Sequence, residues 1–428
     1  MRRHLLSLSA EGAKTAEGYD EVFLWSDGKD SSFKSVGPKL KELGSVPPLN
    51  ADMVRIALAV FASDRSVPRK GQGSNWNSRS FQVTVPVSNS DVWSERTDQL
   101  SNLVNFLTGD KWTFEFVGDA SLDAAVPAND AGNHRVVLLS GGADSATGAL
   151  VSRQGLGKGE QHTLVSHFSA TSISPYQKDI AARIDKLMPN GTQAHIQVQL
   201  NRGKFKLDGS EFKNESSSRS RSLLFLSLGL AVAAQGKVPL WIPENGFASL
   251  NPPLGPERRG SLTTHTTHPK FLYELSALLT DVGAHGGIIN PFLHKTKGEM
   301  FQQVASILGA DAASDYLSAT NSCAHTHARF ASAPQGSSCG ECFGCIVRRA
   351  SFVAAGIEDR TTYLSEDPSN AYDAFVKTTS SRVAIQDFAM AGVVGSQVMA
   401  MNLPPDYDAV EALDLCARAV AELREFFA

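Results

Sequence analysis

The chain has 428 residues, 42% of them hydrophobic, and a formal net charge of −4. That length suits two or three domains with full cores, and the mild acidity argues against a broad nucleic-acid footprint. No apolar run approaches the ~20 residues of a membrane span, and the opening Met1-Arg2-Arg3-His4-Leu5-Leu6 has too short an apolar core for a signal peptide, so a cytoplasmic protein is expected.

Residues 1–130 read as a separate α+β module. Positions 53–63 form a helix or a strongly apolar strand, and 80–87 alternate with Phe81, Val83 and Val85 on one face, as in a strand. Positions 93–107 have helical spacing, and 111–117 alternate again. No catalytic constellation stands out here, so substrate or partner recognition is the expected role. The next stretch, within a second domain at 131–365, alternates strands at 135–139, 163–169, 195–200, 238–243 and 286–290 with helices at 145–154, 174–188, 220–235, 269–281 and 297–308. This alternation implies a doubly wound parallel α/β sheet, whose ligands sit beyond the carboxyl ends of the strands near a switch point. Residues 366–428 read as a helical extension, with Val410, Leu413, Cys416, Val420, Leu423 and Phe426 at helical spacing. Cys416 is expected in its core.

The chemistry begins at Ser140-Gly141-Gly142-Ala143-Asp144-Ser145, which follows the apolar run Val136-Val137-Leu138-Leu139 and precedes a helix. A glycine turn at a helix N-terminus is an anion site: its N–H groups lack helical partners and the dipole favours negative charge. Ser140 and Ser145 add hydroxyls, and Asp144 can hold magnesium or cap the helix. The plainer reading is a Ser/Gly-rich turn. The pattern S-G-G-x-D-S resembles the signature of the PP-loop ATP pyrophosphatases, which split ATP into AMP and pyrophosphate. No Walker-type loop occurs, and Gly155–Gly159 reads as a helix C-cap and turn. His167 and Glu244-Asn245-Gly246 fall at the ends of other strands. The pairs Arg219/Arg221, Arg258/Arg259 and Arg348/Arg349 read as solvated faces or ligand clamps.

Of the five cysteines, Cys339, Cys342 and Cys345 are spaced C-x-x-C-x-x-C. Such turns bring sulfurs to one point, as tetrahedral zinc requires. Cys323 is the natural fourth ligand, with His325 and His327 as competitors, and a redox pair or buried free thiols as the alternative to metal. Closed four-sulfur coordination would make the zinc structural.

Together these motifs resemble the QueC family of 7-cyano-7-deazaguanine synthases over roughly residues 134–355. Cys339-Gly340-Glu341-Cys342-Phe343-Gly344-Cys345, with Arg348 or Arg349 after it, looks like that family's zinc segment. Arg221-Ser222-Leu223-Leu224-Phe225-Leu226 resembles its R-N-x-x-F-L helix start, and Pro291 with Lys297-Gly298-Glu299 its P-L…K-x-E stretch. The family's Y-G-Q stretch is replaced by Ser172-Ile173-Ser174-Pro175-Tyr176-Gln177, Ser222 stands for its asparagine, and the gap from Cys323 to Cys339 is long. The flanking regions resemble the QatC-type members found in bacterial antiphage defence operons.

The resemblance implies a PP-loop (HUP-like) fold and ATP, magnesium and zinc as cofactors. It also implies adenylation of a 7-deazaguanine carboxylate, followed by amide or nitrile formation. Lys297 is then a candidate cation on the α-phosphate, or a solvated lysine in a helix's first turn. Arg221 is a carboxylate or phosphate clamp, or a surface ion pair. Glu244 and Asn245 read a purine edge, or form an ordinary turn. His265-Thr266-Thr267-His268-Pro269 reads as a capping or substrate-loop segment. Operon proteins are expected partners, with ammonia or a partner's amine as acceptor. Rival readings are a tRNA-modifying PP-loop ligase and a non-catalytic nucleotide sensor.

Overall fold

The computed structural model describes residues 1–69, 78–122, 133–168, 173–215, 217–252, 265–323, 337–366 and 381–428. The strands are β1 (Arg2–Ser7), β2 (Glu21–Leu24), β3 (Phe33–Ser35), β4 (Ser80–Val87), β5 (Lys111–Gly118), β6 (Asn133–Leu138), β7 (Gln161–His167), β8 (Thr192–Val198), β9 (Leu200–Arg202), β10 (Leu240–Trp241) and β11 (Ile288–Ile289). The helices are α1 (Ala10–Lys14), α2 (Pro48–Ser66), α3 (Ser90–Ser94), α4 (Thr97–Thr108), α5 (Ala143–Gln154), α6 (Ser174–Leu187), α7 (Arg221–Gly236), α8 (Gly246–Leu250), α9 (Pro269–Asp281), α10 (Lys297–Leu308), α11 (Ala310–Ser318), α12 (Phe343–Ala355), α13 (Ser381–Ala391), α14 (Gly395–Met399) and α15 (Ala409–Phe427).

The chain forms two compact units. One comprises Met1–Val136, Ile196–Leu240 and Arg258–Ile289; the other comprises Val137–His195, Trp241–Glu257 and Asn290–Ala428. Composition suggests consecutive domains at 1–130, 131–365 and 366–428, whereas these units are discontinuous. Part of the physical reason lies in α7: Leu223, Leu224, Leu226, Leu228, Leu230 and Val232 bury it on several faces, and α2 of the same unit packs on it. A helix apolar all round must be covered on more than one side.

In the first unit, β1 pairs in parallel with β2 and β4, and β4 in parallel with β5, in the order β2-β1-β4-β5. The expected α+β module is therefore corrected to α/β. Parallel neighbours need crossovers, and α2 and the α3–α4 pair lie in them. The apolar run at 53–63 belongs to α2, a central helix with Met53 through Asp64 all buried. The alternating run at 80–87 is β4, with Phe81, Val83 and Val85 on its buried face.

The five-stranded sheet has the order β11-β10-β6-β7-β8. From β8 this is third, second, first, fourth and fifth in sequence, an order that reverses between β6 and β10. In open α/β sheets that reversal is where ligands bind. The continuous apolar run of β6 fits a strand covered on both faces. Helix α5 approaches residues after β10 so closely that a Cβ on Gly148 would overlap the Pro243 ring. In the second unit, Val137, Leu139, Leu150, Leu164, Ile180, Phe301, Tyr316 and Phe352 form one core. A second core joins Phe247, Ile346, Ile385, Phe388, Tyr407, Leu415, Val420 and Leu423. Cys416 is buried in it, as its spacing predicts. Among the described residues, no helix is long and apolar enough to cross a membrane.

Candidate functional site

The Ser140–Ser145 loop leaves the carboxyl end of β6 and enters α5. Gly141 has φ +97°, a conformation that disfavours side chains. Gly142 is the N-cap, and Asp144 lies in the first turn. Ser140 Oγ donates to Ser145 Oγ at 3.0 Å, and Ser145 Oγ donates to Gly142 O at 2.8 Å. Gly142 N donates to Ser140 Oγ at 3.4 Å, and Ala143 N to Ser322 Oγ at 3.3 Å. Hydroxyl oxygens thus sit on loop N–H groups suited to an anion's oxygens.

Across the strand reversal, α10 presents Lys297 at its first position, after a capping box made by Thr296 and Glu299. Lys297 Nζ donates to Asp144 Oδ2 at 2.7 Å, and the side chains are 7% and 14% exposed. Asn245 Oδ1 caps α8 by accepting from Ala248 N at 2.8 Å. Its Nδ2 faces Asp144 Oδ1 and Glu244 Oε1, each at 3.4 Å. Burial, and then the adjacent Asp144 carboxylate, push the Glu244 carboxyl well above the usual range, against the pull of Lys297. Glu244 thus holds a proton beside the Asp144–Lys297 pair, a proton that an arriving cation would displace. Two adjacent carboxyl groups offer the oxygen donors that a hard divalent cation such as magnesium takes.

The four sulfurs of Cys323, Cys339, Cys342 and Cys345 lie within 4.8 Å of one another, and all four residues are buried. Cys339 and Cys345 Sγ are 3.8 Å apart, and Cys342 and Cys323 Sγ 4.0 Å. Zinc–sulfur bonds of about 2.3 Å in a tetrahedron place sulfurs ~3.8 Å apart, so the set fits zinc. Backbone N–H groups of Cys339, Glu341 and Cys342 point at sulfurs at 3.2–3.4 Å, which stabilises thiolates. Cys323 occupies the fourth corner; His325 and His327 lie outside the described residues.

This cysteine centre is braced against the loop. Asn321 N donates to Gly141 O at 3.0 Å, Asn321 Oδ1 accepts from Cys323 N at 2.9 Å, and Ser322 receives Ala143 N. A Cβ on Gly344 would overlap Ser322 O, so glycine allows α12 to approach that segment. Asn321 and Ser322 were not legible as site residues, although they directly precede a ligand. No motif marks Gln177 either: its Nε2 donates to Ser140 O at 3.2 Å and His167 O at 3.4 Å. It comes from the divergent 172–177 stretch.

The structure brings together Ser140 through Ser145, Glu244, Asn245 and Lys297, with buried His167 at the end of β7 linked to the loop through Gln177. Arg221 belongs to the first unit, where it opens α7 and is exposed. Arg348 is buried and donates to Thr320 O, Leu317 O and Thr361 Oγ1 at 2.7–2.8 Å, a structural role. His268 caps α9 by accepting from Lys270 N, consistent with the capping reading of H-x-x-H.

No family model and no solved structure matches the chain. Known proteins similar to it are named 7-cyano-7-deazaguanine synthase. That of Novosphingobium aromaticivorans is 33% identical over 151 residues, 34% of this chain and 54% of that protein, so the chain spans about half of that relative's length. That of Desulfatibacillum aliphaticivorans is 26% identical, over 54% of this chain and 96% of its own. That of Cupriavidus taiwanensis is 30% identical over 250 residues, 53% of this chain and 96% of its own. With the loop, the acid–lysine cluster and the cysteine centre beside that near-complete coverage, the chain belongs to the 7-cyano-7-deazaguanine synthase family.

Proposed function

We propose that this protein is a PP-loop adenylating enzyme that uses ATP to activate the carboxylate of a 7-deazaguanine. The observation that carries the reading is the Asp144–Lys297 pair, with Glu244 beside it, facing a glycine loop at the strand reversal. A carboxylate is a poor electrophile because its leaving group would be oxide. Attack of a carboxylate oxygen on the α-phosphorus breaks the bond to pyrophosphate and gives an acyl-adenylate. An amine then adds to the carbonyl carbon and AMP leaves with the former carboxylate oxygen, giving an amide.

In this reading Ser140, Gly141, Gly142, Ala143 and Ser145 cradle the departing pyrophosphate. Lys297 supplies positive charge at the α-phosphate, and Asp144 keeps its ammonium aimed. Asp144 and Glu244 would hold magnesium, which supplies charge neutralisation for the polyphosphate when bound. Asn245 orients both carboxylates, and His167 flanks the nucleotide. Zinc at Cys323, Cys339, Cys342 and Cys345 would supply folding energy rather than reactivity.

The deciding experiment uses a 7-carboxy-7-deazaguanine carrying ¹⁸O in its carboxylate, with ATP, magnesium and ammonia. Pyrophosphate and AMP bearing one ¹⁸O are expected. ADP, or AMP without label, overturns the reading. It also separates the rivals, since a nucleotide sensor forms no AMP and a tRNA-modifying ligase does not label AMP from this carboxylate.

The acceptor extends the proposal. The match to the Cupriavidus taiwanensis relative covers 53% of this chain, and the remainder offers surface for a second macromolecule. A partner protein's amine in place of ammonia, in an antiphage-defence setting, fits that excess. Intact mass measurement of operon partners after incubation with ATP and the base tests it. Unmodified partners with free nitrile released would count against it.

A further inference from the structure

We propose that Glu422, on the C-terminal helix α15, is a positioning residue for Lys297, making this helix part of the adenylating site. The inference rests on the adenylation reading above.

Lys297 reaches the site on the segment running from Leu293 to Glu299, and α15 with the residue run before it holds that segment repeatedly. Tyr407 Oη donates to Leu293 O at 3.2 Å. Arg418 donates to His294 O at 3.1 Å and pairs with Glu299. Glu422 accepts the Thr296 hydroxyl hydrogen on one oxygen and Gly298 N at 3.1 Å on the other. Its two partners are the residues on either side of Lys297. A Cβ on Gly298 would stand 2.5 Å from Glu422 Oε1, so a side chain there would displace the carboxylate.

The Thr296 hydroxyl has one hydrogen to donate, and Glu422 takes it. The Thr296 oxygen is thereby directed to accept from Glu299 N at 3.1 Å and cap α10. Both capacities of this hydroxyl are used, so the rotation of the first turn is determined. Lys297 leaves that turn and meets Asp144 Oδ2 at 2.7 Å. An acid near a helix N-terminus is ordinarily worth a modest stabilisation. The distinguishing feature here is a carboxylate shared between the two flanks of one buried lysine.

One turn beyond Glu422, α15 also reaches the residues around the cysteine centre. The Arg349 and Arg382 guanidiniums lie over the Phe426 ring at 5.4 and 5.9 Å, and Arg382 pairs with Glu341 at 3.1 Å. Glu341 sits in the turn between Cys339 and Cys342. The last turns of α15 therefore touch both the surroundings of the cysteine centre and the lysine segment, within one unit.

The test is steady-state pyrophosphate release by the full chain in wild type, Glu422→Ala, Glu422→Gln, Lys297→Ala and the Glu422→Ala/Lys297→Ala double variant. Glu422→Ala is expected to lower kcat by about 10- to 100-fold, the range for ångström-scale misplacement, with KM for ATP little changed. Glu422→Gln, which keeps one acceptor oxygen for the two donors, recovers only part of the rate. In the Lys297→Ala background, Glu422→Ala has little further effect, because the two act through one group. Wild-type kcat in folded, zinc-loaded Glu422→Ala overturns the proposal, as does an equal loss in both backgrounds. If Glu422→Ala fails to fold, Glu422→Asp withdraws the carboxylate by one methylene, and unchanged kcat overturns it equally. Wild-type activity of Lys297→Ala would instead remove the underlying site assignment.

Discussion

Lys297 occupies a position that helix physics disfavours. The N-terminus of a helix carries partial positive charge, so a cation at its first position is mildly repelled. Here the lysine is also buried, which costs further unless it is paired. Asp144 supplies the pair, and Asp144 is better suited to a helix's first turn than Lys297 is. Chemistry at the site accounts for that arrangement more readily than stability does. Lys297→Ala is therefore expected to slow pyrophosphate release by about 10²–10³-fold, the scale for losing one charge-stabilising donor. Circular dichroism should show it folded. Asp144→Ala should abolish release, because on the proposed reading it removes a cation ligand and the lysine's anchor together; turnover retained in that variant would remove the loop from the mechanism. At this scale the hexapeptide was legible because six adjacent residues carry the whole pattern. The choice between a buried, paired Lys297 and a solvated one was not, since its partner lies 153 positions away.

At the scale of elements, the cysteine centre and the glycine loop are joined through Asn321 and Ser322. The expected zinc segment was readable from C-x-x-C-x-x-C, because a tight turn delivers its own sulfurs to one point. Its role as a brace was not, because that depends on which backbone lies beside the turn. Cys342→Ser is expected to lose zinc, as measured by metal analysis, and to melt earlier, since a structural zinc contributes ~10 kcal/mol or more to folding. Pyrophosphate release should also slow, because Gly141 O and Ala143 N lose their fixed partners. Full activity in a metal-free wild type would contradict both parts. The helices and strands of the central region fall within a few residues of their sequence-derived spans; 174–188, for example, is Ser174–Leu187. Strand 238–243 shrinks to Leu240–Trp241, because Pro239 and Pro243 flank it and cannot donate to a ladder.

At the scale of the whole molecule, the first unit is secured by a buried charge cluster. Asp64 from α2 accepts from Arg79, from Ser220 Oγ at 2.7 Å and from Arg219 N at 2.9 Å. Arg79 and Arg69 also pair with Asp110, at 2.6 and 2.8 Å. Burial alone would raise the Asp64 carboxyl, but Arg79 and its hydrogen bonds hold it below its ordinary value of 3.8. A carboxyl depressed on folding stabilises fully above its unfolded pKa, and that stability is lost as pH falls through the folded value. Wild type should therefore lose this contribution only below pH 3.8, and Asp64→Asn should flatten that acid limb. The variant should also be destabilised by about 3–5 kcal/mol at neutral pH, because buried arginines lose a charge partner. Trp25, Trp93 and Trp112 are buried in this unit, so its unfolding changes the tryptophan emission. Parallel acid limbs in the two proteins would show that Asp64 is not the group responsible.

The sequence by itself determined whatever is written within a few neighbouring residues: apolar runs that must be covered strands, 3.6-residue faces that must be helices, a glycine turn at a helix start, and sulfurs two residues apart. Tertiary structure alone decided what depends on distant segments meeting. It made the N-terminal sheet parallel, grouped α7 with α2, set Lys297 against Asp144 and Asn321 against the glycine loop, and laid Glu422 across the lysine's two neighbours. The physical reason is that periodicity records which face is buried, whereas the partner filling that face is chosen by packing and charge across the fold.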